Sequence, residues 1–163
     1  YKRQVALIGD AAHAIVPFYG QGMNCGFEDC AELHALIDRY DHDWERIFPA
    51  YENARKPNGD AIAELSKRNF VEMSDLSGDR HFQLRKKIEA RFSERYPELW
   101  TPLYSMVTFS PDVPYAEALR VGDEQNKVMD SIMSIPDIER DWDEEYVMER
   151  LHDLAAQTFG ADQ

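Results

Sequence analysis

A chain of 163 residues, 44% apolar and 30% charged, has the composition of a soluble globular protein, and its apolar runs stop far short of the ~20 residues that span a bilayer. The formal charge of -13, densest between Asp137 and Glu145, repels phosphate backbones, so the composition excludes nucleic acid and membrane as partners. Cys25 and Cys30 lie five apart on one expected helix, roughly 7.5 Å by helical rise and beyond disulfide reach, and the five histidines share no zinc-ligand spacing. Two reduced core cysteines, no metal site and a cytoplasmic setting are expected.

Residues 3 to 9, rich in Val, Ile and Leu and ending at Gly9, predict a strand buried on both faces of a parallel sheet. Nothing later supplies the rest of that sheet, and a lone strand leaves its backbone groups unpaired. The expectation is therefore a mainly α chain with one N-terminal strand, the tail of a longer protein. From Asn24 to about Tyr40, Phe27, Cys30, Leu33, Ile37 and Tyr40 recur at helical spacing, with Glu28 and Asp29 placed in the first turn, where their charge suits the positive end of the helix dipole. A second helix opens at Asp41 or Asp43 and ends near Arg55 before Pro57 or bends at Pro49. Pro57 starts a third, Asn58 to Met73, whose stripe Ile62, Leu65, Asn69, Met73 is interrupted by an amide. Further helices are expected over about Phe82 to Arg95, Tyr115 to Ser134 and Trp142 to Phe159, while residues 101 to 109 fit a strand or a short helix equally.

The chemistry-bearing stretch lies at the start. Asp10 follows the expected strand, where a carboxylate can accept hydroxyl hydrogen bonds from a polyol or simply cap a turn. Gly20 and Gly22 lack side chains where the backbone must approach a flat ring, and the amides of Gly22, Met23 and Asn24 open a helix whose positive end suits developing negative charge. Pro17 and Phe18 are candidates for a rigid apolar wall. A nicotinamide-type dinucleotide fingerprint is rejected, because ten residues separate Gly9 from Gly20 and that motif follows its strand directly.

Gly9-Asp10-Ala11-Ala12-His13, Pro17, Gly20-Gln21-Gly22-Met23-Asn24 and Glu28-Asp29 together resemble the second flavin-binding motif of the single-component, FAD-dependent aromatic monooxygenases. Downstream, Leu65-Ser66, Asn69, Glu72-Met73, Tyr96-Pro97 and Pro102 to Ser110 resemble the branch of that family that hydroxylates kynurenine, over most of residues 1 to about 130. The resemblance implies that residues 1–40 are a remnant of an FAD-binding domain and 41–163 a C-terminal helical region. It places Asp10 on the ribityl chain, Gly22, Met23 and Asn24 on the pyrimidine edge, and Pro17, Phe18 and Gly20 beside the ring, with Gln21 in the same loop. Asn69, Met73 and Tyr104 would face the small-molecule substrate. From the residues alone, Asn69 is as well explained by a buried hydrogen bond within the protein, and Tyr104 by core packing.

The reaction so implied uses NADPH to reduce FAD and O2 to form a flavin C4a-hydroperoxide that hydroxylates the substrate ring. Ser74 stands where family members often carry an arginine, and the last thirty or so residues match no family pattern. No Gly-x-Gly-x-x-Gly occurs for the ADP half of FAD, so the missing N-terminal FAD-binding portion is the expected partner and the chain alone is expected to be inactive. Two alternatives stay open: a related flavin monooxygenase acting on another aromatic acid, and a non-catalytic helical interaction module.

Overall fold

The computed structural model describes residues 5–160. Among them the chain is helical: α1 (Asp10–His13), α2 (Gly22–Tyr40), α3 (Trp44–Val71) with a π-helical turn (Glu72–Leu76) continuing it, α4 (Arg80–Arg95), α5 (Leu103–Phe109), α6 (Tyr115–Met133), α7 (Ile138–Asp141) and α8 (Glu145–Phe159). No strand forms among the described residues. Of the strand expected over residues 3 to 9, the first two positions lie outside them, and 5–8 have no regular structure. Val5, Leu7 and Ile8 are exposed. A strand exists only against a ladder partner, and the described residues offer none.

The chain divides into two compact units. The first runs to Phe70 and takes in Pro114–Ala116; the second comprises Val71–Val113 and continues from Glu117. No helix among the described residues is long and apolar enough to cross a membrane.

In the first unit, α2 begins at Gly22, so Glu28 and Asp29 stand in its second turn and not, as the sequence reading had them, in the first. Its buried face is Cys25, Asp29 and Leu36, whereas Phe27 is 65% exposed and Cys30 is exposed too. The apolar stripe read from the sequence is thus rotated: only Leu33, Ile37 and Tyr40 of it pack against the small core of Leu36, Ile47 and Tyr51. The left-handed Asp41 and His42 end α2 and turn the chain into α3.

Two helices expected to part at Pro57 are one helix of 28 residues with Pro49 and Pro57 inside it. An interior proline removes one backbone hydrogen bond and crowds the preceding turn, at a cost of about 3 kcal/mol. Here side-chain bonds and burial on both sides of the proline offset that cost. Asn58 donates from Nδ2 to the Ala54 carbonyl (3.0 Å), and its Oδ1 accepts from the Ala116 N–H (3.0 Å). Ile47 and Tyr51 before Pro57, and Ala61, Ile62 and Leu65 after it, are buried.

The second unit has a contiguous apolar core: Ile88 and Phe92 of α4, Trp100, Val128, Met129, Ile132 and Met133 of α6, Ile138 of α7, and Val147, Met148, Leu151 and Ala155 of α8. Trp100 meets Phe92 and Phe159 edge-on, with ring centroids 5.6 and 5.8 Å apart. Asp79 caps α4 by accepting from the Phe82 N–H (2.7 Å). The ambiguous segment 101–109 is resolved as helix α5, led in by Pro102 at its N-cap and burying Met106 and Val107. Arg95 of α4 holds Glu145 of α8 through two hydrogen bonds (2.8 and 2.6 Å).

Candidate functional site

The turn at Gly9 is where the first unit becomes chemically distinctive. Gly9 adopts φ 58°, ψ -144°, a conformation that strains any residue with a Cβ, and its carbonyl accepts from the Ala12 and His13 N–H groups (2.8 and 3.0 Å) to start α1. Its own N–H donates to Asp29 Oδ2 (2.8 Å). The same oxygen lies 2.5 Å from His13 Nε2, and Asp29 Oδ1 accepts from Arg55 Nε (2.7 Å). Arg55 also donates from Nη1 to Glu28 (2.9 Å) and from Nη2 to the Cys25 carbonyl (3.1 Å). One carboxylate thus joins the glycine turn, α1, α2 and α3.

Asp29 is 0% exposed. Burial pushes its carboxyl upward, but the hydrogen bonds from Arg55, Gly9 and His13 outweigh this and hold it below the ordinary value of 3.8. Arg55 feels the converse: burial disfavours its charge, while Asp29 and Glu28 raise it above its usual range. Around the pair, burial pushes the Cys25 thiol up to about 11 and the Tyr51 hydroxyl up to about 12. The pair is therefore charged amid groups that stay neutral.

His13, Cys25 and Asp29 place potential ligand atoms within 4.8 Å of one another. A divalent cation does not fit among them, because the Arg55 guanidinium already donates to Asp29 and reaches Cys25 Sγ at 3.4 Å. A fixed positive charge occupies the position a metal would take.

The loop after α1 carries the residues singled out as flavin-binding. Asp10 is exposed in the first turn of α1, whose N-cap is Gly9. Pro17 is exposed and Phe18 half-buried, its ring 4.8 Å from that of Phe70. Gly20 has φ 67°, and a Cβ built there meets nothing within 4 Å, so the loop opens onto free space at that point. Gln21 is buried: its Oε1 accepts from Asn24 Nδ2 (2.8 Å) and from the Tyr115 hydroxyl (3.2 Å). No side chain caps α2, whose first backbone bond runs from Cys25 N–H to the Gln21 carbonyl (2.9 Å). The donors at Gly22, Met23 and Asn24 precede that bond, and Met23 and Asn24 are exposed. A planar, anionic group fits there: the cradle is open, its donors are backbone N–H groups, and no side chain competes for them.

Of the residues read as substrate-facing, Asn69 donates from Nδ2 to the Phe18 carbonyl (2.9 Å). The structure thus ties the end of α3 to the flavin-type loop. Met73, in the π-helical turn, is 57% exposed, and Tyr104, on α5, is 50% exposed, its ring edge-on to Phe109 at 6.4 Å. Both belong to the second unit.

The sequence reading missed Arg55; it quoted His13 and Asp29 within the flavin-type motif but gave His13 no role and Asp29 a helix-dipole role. A signal was present for Asp29, which lies four residues after Cys25 and seven before Leu36, on the buried face of α2. Nothing local marks Arg55, which meets Asp29 from 26 residues away.

A family model described as FAD binding domain matches residues 2–66. The chain is 56% identical over 154 residues to kynurenine 3-monooxygenase of Christiangramia forsetii, covering 94% of this chain and 34% of that protein. It is 54% identical to the kynurenine 3-monooxygenase of Flavobacterium johnsoniae over the same shares, and 45% identical to that of Saccharomyces cerevisiae over 79% of this chain and 28% of the relative. The chain spans about a third of the length of the curated relatives it matches most fully. Over that span the chain is similar in sequence to proteins named kynurenine 3-monooxygenase, and residues 2–66 match the FAD binding domain model.

Proposed function

We propose that this chain is the part of an FAD-dependent, NADPH-using aromatic hydroxylase that presents the re-entrant flavin loop and part of the substrate wall, and that the complete polypeptide converts L-kynurenine to 3-hydroxykynurenine. The observation that carries the reading is the uncapped start of α2 behind the open Gly20 turn, with Asp10 on the adjoining α1. It lies within the segment that matches the FAD-binding family model.

When bound, the flavin supplies hydride acceptance from NADPH and activation of O2. The residues of this chain hold and orient it. Asp10 accepts from the ribityl hydroxyls, and the amides of Gly22, Met23 and Asn24 face the pyrimidine edge, where the dipole of α2 favours negative charge. Pro17, Phe18 and Gly20 line the ring, with Gln21 fixed beneath by Asn24 and Tyr115. Asn69 sets the Phe18 carbonyl, and the family resemblance assigns Asn69, Met73 and Tyr104 to the substrate. The remainder of the polypeptide is the chain's partner: Val5, Leu7, Ile8, Val16, Met23 and Phe27 are exposed in this chain, an apolar set suited to packing against it. Both cysteines are free, in keeping with a cytoplasmic location.

The test is a visible spectrum of the complete polypeptide with an assay of kynurenine-dependent NADPH oxidation and 3-hydroxykynurenine release. Flavin absorbance and stoichiometric product are expected, with weak or no FAD binding and no hydroxylation by the 163-residue chain alone. A complete polypeptide that purifies without flavin and binds none would overturn the reading. Flavin turnover with another aromatic acid, untouched by Asn69→Ala and Tyr104→Phe, would move the substrate assignment and leave FAD use intact.

A further inference from the structure

Asp29 is used more fully than an ordinary ion-pair partner. Three of its hydrogen bonds run to the Gly9 N–H, the His13 ring and the Arg55 side chain. Two of the three belong to the segment that carries Asp10, one residue after Gly9 and three before His13. Packing reaches the same point. A Cβ at Gly26 would make ordinary van der Waals contact with Gly9 Cα at 3.6 Å, and one at Gly59 with His13 at 3.5 Å, so α2 and α3 both lie against the turn.

We infer that Asp29 is a positioning residue for the flavin. By holding Gly9 N–H and His13 together it fixes α1, and with it the Asp10 carboxylate, relative to the start of α2 at Gly22, about two turns away. The inference rests on the FAD-binding reading above. Arg55 keeps the carboxylate charged and aimed.

The test separates tethering from charge pairing. In the complete polypeptide, two double variants remove both buried charges and differ in one atom set. Asp29→Asn with Arg55→Met keeps an oxygen that accepts from Gly9 N–H and His13, whereas Asp29→Leu with Arg55→Met keeps none. FAD affinity is read by quenching of flavin fluorescence, and folding by thermal melts. The leucine pair is expected to bind FAD at least about ten-fold more weakly than the asparagine pair at a temperature where both are folded. Equal affinities would show that Asp29 serves only as the counter-ion of Arg55 and would overturn the inference while leaving FAD binding in place. An unmutated polypeptide that binds no FAD would overturn both.

Should the leucine pair not fold, amide exchange on the unmutated polypeptide decides. The Gly9 N–H is expected to be protected before FAD is added and little changed after. A Gly9 amide that exchanges freely until FAD binds would mean that the ligand, and not Asp29, orders the turn, and the inference falls.

Discussion

The two compact units solve the same problem, how to bury a helix face, in opposite ways. The second fills its interior with Trp100, Phe92, Ile132, Val147, Met148 and Leu151 and keeps its ion pairs on the surface. The first has a small apolar centre of Leu36, Ile47 and Tyr51 and places a charged pair, Asp29 with Arg55, inside. An apolar core converts area directly into stability, whereas a buried pair returns little net energy but holds specific groups at specific angles. The division teaches which unit rests on an apolar core and which holds a fixed polar geometry.

The contrast can be broken most forcefully in the second unit. Trp100→Ala removes the ring between Phe92 and Phe159 and is expected to cost about 3 to 5 kcal/mol, read as a drop in the denaturant midpoint of the chain. A change in which residues 80–159 lose no more protection than residues 22–70 would contradict a self-contained core there.

The next test is acid. Because the Asp29 carboxyl is held below its ordinary value in the folded chain, its contribution is complete above the ordinary value of 3.8 and is lost as the pH falls below that and through the lower folded value. Amide resonances around Gly9, Cys25 and Arg55 are expected to broaden or shift on acidification before those around Trp100 and Leu151. In Asp29→Asn that difference should disappear, since the group no longer titrates.

Asn69→Ala is expected to cost about 1 kcal/mol, the worth of one partly buried hydrogen bond. Faster amide exchange should then be confined to the loop around Phe18, and exchange spread along all of α3 would show that Asn69 does more than hold that loop. Gly122→Ala sharpens the comparison by its smallness. Helix propensity favours alanine by about 1 kcal/mol, but the new methyl meets the Leu103 side-chain tips at 2.8 and 2.9 Å. Leu103 can rotate, so the melting temperature is expected to move by no more than a few degrees.

Much of this was legible in the sequence, and what was not has a common cause. The later helices form close to the ranges expected of them, and along them Ile88 with Phe92, Val128 with Met129 and Ile132, and Val147 with Leu151 are buried at helical spacing. Local rules failed where a distant partner overrode them. Pro57 marks a helix boundary by its own geometry, yet the helix continues because Asn58 bridges the turn and Ala116. The stripe of α2 read through Phe27 and Cys30 missed the face that matters, because the burial of Asp29 depends on Arg55, and no periodicity records a residue 26 positions away. At the site, the glycine loop was readable as a motif because its spacing is long and ordered. The anchoring of Asn69 on the Phe18 carbonyl spans 51 residues and was visible only once α3 ran unbroken.

One practical property follows from the two thiols. Cys25 is buried and its proton is held to about pH 11, while Cys30, five residues on, is exposed. Alkylation attacks the thiolate, so a maleimide at neutral pH should modify one sulfur and spare the other. A fluorophore so attached would ride on the exposed side of α2, one residue on from the carboxylate that grips the glycine turn, and would report movement there without any engineered cysteine.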